Sequence, residues 1–488
     1  MPTPPTRMFY AGPIPAMFAC FCGLLIASSS RAGESTVQWR DGRQEQVEIV
    51  GLTPDSLRLR IDGVERTVPA ADIVAWGQLR EPPRGPAWLL RGGSLIAVED
   101  WNVTLDRIRG QSFWFTELAV EKRLVRAAIL AWSTDAMAHD RELRTWLAAS
   151  TPPAAMLRDQ LVLESGDTVS GGVIGWDEAI GDEPRRLRVK LARGETRIAA
   201  DAIRAILWSP GVTAEKSSAA ATSVKPSSDT PATPPTNTTA QPVGDSLAKP
   251  NSDRSTQPVA AANSAISWIL GLRDGSLLRC ERLEARETRP GPNRDSTGAG
   301  QWVLKLLDGV ELNCDATVLV EELVFAQPLP RGVRYLADME TSGYKHVPLF
   351  GQAWGFGRDE NAAGGALRCD GRRYPKGLGM HATSRLAFSL AEPYHRFRAR
   401  LGIDAAAVRS GAGSLAANSR GSVIFRVYLD RGAGKWEPAF ASGIVRGGDP
   451  SVPLDLDITG AQGLALIVDA ADFGDQGDLA NWLDARLE

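Results

Sequence analysis

Tyr374-Pro-Lys376-Gly377-Leu-Gly379-Met-His381-Ala-Thr-Ser384 is the stretch that decides the C-terminal fold. Two glycines flanking one leucine, followed by a histidine and three small residues, describe a backbone pinched tightly at a sheet edge with a polar side chain beside the pinch. Such a design suits a recognition loop. Outward from it, Arg385-Leu-Ala-Phe-Ser-Leu390 and Ser422-Val-Ile-Phe-Arg-Val-Tyr428 alternate apolar and polar residues, as strands with one buried face do.

Further signals follow in order. Tyr335-Leu-Ala-Asp338 opens the region, Gly351-Gln-Ala-Trp354-Gly-Phe-Gly357-Arg358-Asp359 follows, and Gly364-Gly365-Ala-Leu367-Arg368 leads into the glycine pinch. Beyond it come Ser442-Gly443-Ile-Val-Arg446-Gly447-Gly448-Asp449, Gly463-Leu-Ala-Leu-Ile-Val-Asp469-Ala and Asn481-Trp482-Leu-Asp484-Ala. From about Arg334 to Glu488 this order resembles the NPCBM (NPCBM/NEW2) family of carbohydrate-binding modules. The resemblance implies a galactose-binding-like jelly-roll β-sandwich that takes up glycans. Only Val408 to Arg420, rich in Gly, Ala and Ser, departs from a compact pattern and reads as a loop.

A sugar presents hydroxyls to directional donors and acceptors and a C–H face to aromatic rings, so a site needs both kinds of side chain on one concavity. Trp354 and Trp482 are the stacking candidates; Arg358, Asp359, His381 and Arg446 are the hydroxyl-binding candidates. Each also has a structural reading. Trp482 would fill the core, Arg358 and Asp359 would pair with each other, and His381 would bond a neighbouring strand. Asp472, Asp475 and Asp478 have oxygen-ligand spacing but lack a bidentate acid at the expected distance, so a solvated acidic turn is the expectation.

Toward the N-terminus, four stretches share one plan: an apolar strand, a glycine turn, alternating strands and a closing run ending in a large aromatic. They open at Val37, Trp88, Leu161 and Ile269 and close at Trp76, Trp132, Trp208 and Phe325. Their size and order resemble Sm-like or SH3-like barrels in plan only, and imply spacing and interaction rather than chemistry. The resulting organisation is a signal peptide over 1–32, two β-rich units over 33–133, a helical connector over 134–155, and a third unit over 156–209. A disordered Ser/Thr/Pro/Ala-rich linker over 210–264, a fourth unit over 265–330 and the sandwich over 331–488 complete it. The linker is expected to let the fourth unit and the sandwich search a volume around the first three units. In the connector, Ser133 or Thr134 would cap a helix from Asp135, with Leu143, Trp146 and Leu147 docked on a barrel.

Composition bounds the function. With 55 Lys and Arg against 58 Asp and Glu there is no net basic field to hold nucleic acid or an anionic membrane. The basic n-region at Arg7, the apolar core from Met17 to Ala27 and the small-x-small site at Ser30-Arg-Ala32 mark export, to a secreted or periplasmic location, with no membrane insertion after cleavage. Cys280, Cys314 and Cys369 remain, with two readings open: a Cys280–Cys314 disulfide, or three small buried hydrophobes. No C-x-x-C or Cys/His cluster calls for zinc, and no cofactor is expected. Ser246-Leu-Ala-Lys249 and Asp472-Phe-Gly474 match catalytic motifs without their supporting context. The expectation is therefore a non-catalytic glycan-binding protein whose partner is a polysaccharide or glycoprotein glycan. An envelope protein-interaction scaffold with a degenerate sugar site is the alternative, and a glycan-processing enzyme is a third.

Overall fold

The computed structural model describes residues 34–115, 118–133, 135–148, 158–177, 184–209, 266–286, 300–349, 353–410, 421–432, 434–472 and 474–488. The signal-peptide and linker readings, and most of the loop before Arg420, lie outside the described residues. The chain is mostly β, with antiparallel pairing throughout.

Each N-terminal unit opens with one and the same turn. The N–H of Trp39, Leu90, Leu163 or Leu272 donates to the carbonyl four residues on, at Arg43, Ser94, Asp167 or Ser276. In each turn a glycine (Gly42, Gly93, Gly166, Gly275) occupies the left-handed region, at φ between 84° and 93°, which only glycine adopts without strain. Each unit ends with a short helical turn, Ala70–Asp72, Lys122–Leu124, Ala200–Ala202 or the helix Ala316–Glu322, and a last strand that returns to pair with the first. Units one, three and four thus have a five-stranded barrel plan, whereas unit two has six strands, of which Asp100–Val103, Arg107–Gln111 and Leu118–Glu121 form a separate sheet. The closing aromatics are not equivalent, however: Trp76 and Phe325 lie within their last strands, whereas Trp132 and Trp208 lie beyond theirs.

The units also pair with one another, and here the structure departs from the free-tether expectation. Last strands meet antiparallel in two places: Ile73–Gly77 of the first unit against Leu323–Leu329 of the fourth, and Val125–Ile129 of the second against Ile203–Leu207 of the third. At the first junction, a Cβ on Gly77 would stand 2.0 Å from the carbonyl oxygen of Val324, so glycine is obligatory there. A third junction joins units two and four through Leu95 and Leu277. It is reciprocal: Ser94 Oγ accepts from the N–H of Arg279 (3.0 Å) and Ser276 Oγ from that of Ala97 (2.9 Å). Spatial order is therefore one, four, two, three. A single buried core runs through all four, from Val37 to Ala326. Cys280 and Cys314 lie in it as free buried thiols, and burial pushes the Cys314 thiol up to about 12.

The helix Ala136–Ala148 packs Trp146 against Ala87, Leu89, Ala127, Ile129 and Ala205 of the barrels. Its cap is Asp135, whose carboxylate accepts the N–H of Ala138 at 3.0 Å.

From Arg334 the chain forms two facing sheets over a second core. One runs Gly357–Arg358, Gly377–His381, Leu479–Leu487, Arg396–Ile403, Val452–Asp457; the other Gly343–His346, Ser384–Ser389, Gly463–Ala470, Ser422–Asp430, Trp436–Ala441. This is a jelly-roll sandwich. The strand Gly377–His381 is not an edge, because the two-residue strand Gly357–Arg358 covers its outer side. Its glycines permit close backbone approach: a Cβ on Gly379 would stand 2.4 Å from the Cα of Asn361, and one on Gly377 2.6 Å from the carbonyl oxygen of Trp482.

The sandwich is seated on the barrels. Arg368 forks onto Glu81 (2.6 and 3.0 Å) and onto the buried Asp140 at the helix, and Arg144 pairs with Glu360 at 2.7 Å. Gln327 of the fourth unit donates to the Tyr335 hydroxyl (2.9 Å), and Gln78 of the first to the carbonyl of Gly371 (2.9 Å).

Candidate functional site

Strand pairing carries His381 to the far end of Gly377–His381, opposite Leu479 and away from the barrels. A neighbouring strand of the facing sheet, Gly343–His346, ends alongside, with His346 opposite Ser384. The next segment returns Trp354 to the two histidines. Its ring lies flat on that of His381, with centroids 4.5 Å apart and planes 5° from parallel, while His346 stands edge-on to His381 at 5.6 Å. The Tyr344 hydroxyl donates to the Trp354 carbonyl at 2.9 Å and fixes the loop.

Hydrogen bonding sets the tautomers. The backbone N–H of Trp354 donates to His346 Nδ1 (3.2 Å), so in the neutral ring the His346 proton sits on Nε2 and is donated to the carbonyl of Ala382 at 3.2 Å. His381 Nδ1 lies 2.7 Å from the same carbonyl and donates to it. Its Nε2 is left with a lone pair and no partner among the described residues. Burial pushes the His381 pKa down, which keeps that lone pair available at neutral pH. His381 is 5 % exposed and Trp354 is half-buried, so the surface offered to solvent here is mainly that of Trp354.

The loop after Gly463–Ala470 borders the same end. Leu349 lies within 3.4 Å of where a Gly474 Cβ would be, and both Val347 and Leu349 are exposed. On the loop's other side Arg446 pairs with Asp472 at 2.6 Å. Beneath, Asp478 accepts the N–H of Ser422 at 2.7 Å through one oxygen, while its other oxygen has no partner among the described residues. Burial, with the neighbouring Asp475, pushes the Asp478 carboxyl up to about 7.

Of the six candidate residues, Trp354 and His381 are therefore in ring contact, and Arg446 pairs with Asp472 of the loop after Gly463–Ala470. The other three lie elsewhere. Trp482 is fully buried in the sandwich core, edge-on to Phe425 at 5.0 Å, and has no face for a ligand. Arg358 donates to the carbonyls of Ala337 (2.8 Å) and Met339 (2.6 Å) and so fixes the turn before it. Asp359 accepts from Lys376 (3.0 Å) and from the N–H of Gly377, at the strand end opposite His381 and so roughly 13 Å away along the strand. Arg358 and Asp359 serve separate partners rather than each other. His346 was missed from sequence because a lone histidine in an alternating strand gives no sign of the strand beside it. Among the described residues no group of His, Cys, Asp and Glu has metal-holding geometry.

Those features sit on a third of the chain with a recognisable pattern. Residues 334–488 match the NPCBM/NEW2 domain. The match supports carbohydrate binding by this NPCBM region. Solved structures similar to the chain include the CBM51 module from a Clostridium perfringens GH95 in complex with methyl-galactose, at 24 % identity over 32 % of this chain and 99 % of that one, TM-score 0.27. A second is CBM51-2 in complex with GlcNAc and INT domains from Clostridium perfringens ZmpB, at 20 % identity over 42 % of this chain, TM-score 0.26. This chain spans 40 % of that structure's length. Tandem CBM51 modules of a Streptococcus pneumoniae family 98 glycoside hydrolase match at 18 % identity over 38 % of this chain and 62 % of theirs, TM-score 0.26. A search of curated proteins finds no match to the chain. Among the described residues no helix is long and apolar enough to cross a membrane.

Proposed function

We propose that this is an exported, non-catalytic glycan-binding protein, anchored to a polysaccharide or glycoprotein surface through its NPCBM region. The observation that carries the reading is the His381 Nε2 lone pair held beside the half-buried Trp354 ring at one end of the sandwich. A sugar hydroxyl donates to that nitrogen, a C–H face lies against the exposed part of Trp354, and Arg446 reaches hydroxyls from across the loop. Arg446 keeps donors to spare, because one guanidinium has five N–H groups and a single ion pair to Asp472 uses few of them.

The test is a glycan array probed with the whole mature chain and with Trp354→Ala/His381→Ala. Binding to a defined set of neutral sugars that the double variant loses supports the reading. No binding to any neutral glycan, or neutral-glycan binding that survives both substitutions, turns it toward the scaffold alternative, which the pairing of the four barrels with one another favours. New reducing ends on incubation with polysaccharides would instead mark an enzyme.

A further inference from the structure

The four barrels provide an internal comparison that one sequence otherwise lacks. The first residue of the closing turn is Ala70, Lys122, Ala200 or Ala316, each placed by the same bond from its N–H to a hairpin carbonyl, at Asp55, Asp106, Arg185 or Gly300. Three copies hold alanine; the second holds lysine. Its partner is equally singular. Asp159 stands four residues before Leu163 of the shared turn, where the other units have Ser35, Pro86 and Trp268.

Lys122 Nζ lies 2.7 Å from Asp159 Oδ2 and 4.6 Å from the ring of Trp208, and both side chains of the ion pair are largely withdrawn from water. A withdrawn pair is weak evidence for stability, because desolvation offsets the attraction. Asp159 has a structural part, since it accepts the N–H groups of Val173 (3.0 Å) and Ser209 (3.1 Å) and ties the third unit together. The barrel plan itself does not call for a lysine at this position, as three alanines attest; what the lysine answers here is the Asp159 carboxylate. Lys122 lines a cleft of about 530 Å³ between units two and three, within the roughly 300–1,000 Å³ usual for small-ligand sites. Arg107, Arg123 and Arg158 line the same cleft, with the carboxylates of Asp106, Glu121 and the Lys122 partner Asp159. Arg123 is paired with Glu121 at 2.5 Å, but Arg107 and Arg158 have no ion-pair partner among the described residues. Leu105, 81 % exposed, adds an apolar rim.

We propose that this cleft is a second binding site, for the carboxylate or sulfate group of an acidic sugar, held by Arg107 and Arg158 alongside Lys122. The anionic group follows from the two unpaired guanidiniums; that a sugar bears it rests on the glycan-binding reading above.

The test is calorimetric titration of the whole mature chain with glucuronic acid, glucose 6-sulfate, glucose and sodium sulfate. At least one acidic sugar is expected to bind tenfold or more tightly than glucose, with affinity falling as salt rises. Arg107→Ala/Arg158→Ala should lower that affinity at least tenfold without moving the melting temperature, since both residues are rim-exposed. Trp354→Ala should leave it intact, so failure of the sandwich site and failure of this cleft are read separately. Acidic sugars binding no better than glucose, an unaffected double variant, or sodium sulfate binding as tightly as the sugars would each overturn the proposal.

Discussion

Replacing Arg368 with alanine tests whether the sandwich is seated on the barrels. The guanidinium meets Asp140, whose side chain is 4 % exposed, and Glu81, which is largely in water. Removing one member of a buried pair costs roughly 3–5 kcal/mol because the other charge stays behind unpaired. Asp140 would keep the N–H of Ala366 at 3.2 Å, and water would enter the space vacated, so the lower end applies. The exposed Glu81 arm adds about 0–1 kcal/mol. The expected loss is thus about 3 kcal/mol, or roughly a hundredfold in the closing equilibrium of the junction. Hydrogen exchange at the Ala366 amide reads it directly, and a double-mutant cycle with Asp140→Asn isolates the coupling. The junction should also weaken in acid. Arg368 holds the Glu81 carboxyl below its ordinary value, so that contribution is present above the unfolded pKa of about 4.3 and is lost as pH falls through the lower folded one. Unchanged Ala366 protection in Arg368→Ala, or coupling below about 0.5 kcal/mol, would refute the docked arrangement.

Trp482→Ala should cost about 3–5 kcal/mol in urea denaturation, as a core truncation does, whereas Trp354→Ala should lose sugar binding with little change in stability; the reverse pattern would exchange their roles. Because burial raises the folded pKa of Asp478, the folded chain holds that proton more tightly, and stability rises as pH falls from above 7 toward about 4. Asp478→Asn, which keeps an acceptor for the Ser422 N–H, should therefore raise the melting temperature more at pH 8 than at pH 5; an equal gain at both would contradict the assignment. Residues 34–209 and 266–488 expressed as separate chains should co-purify, since the first and fourth units share strand pairing; elution as two independent species would refute that junction.

The sandwich was legible because its signals are local. Glycines at 377 and 379 mark close backbone approach whatever lies opposite, and alternation along Ser422–Asp430 fixes the buried face before any partner strand is known. The barrels were legible as repeats for the same reason: the glycine turn recurs within a few residues each time. What sequence did not yield depends on distant pairing. Nothing in Ile73–Gly77 names Leu323–Leu329 as its neighbour, and nothing in Arg368 names Glu81 or Asp140. The site divided along the same line. Trp354 and His381 converge because two sheets end together, while Arg358 and Asp359, only four and five residues after Trp354, sit at the opposite end of a strand.

The order one, four, two, three bears on how the chain is made. The strand Ile73–Gly77 leaves the ribosome long before Leu323–Leu329 exists to cover it. At about 5–20 residues per second, the roughly 250 intervening residues take about 12–50 s to synthesise. For that interval a nascent β-edge stands open, a template for pairing between neighbouring polypeptides. Yield in a host with few holdase chaperones should therefore be governed by the wait of the first barrel for the fourth, not by the folding rate of any single unit.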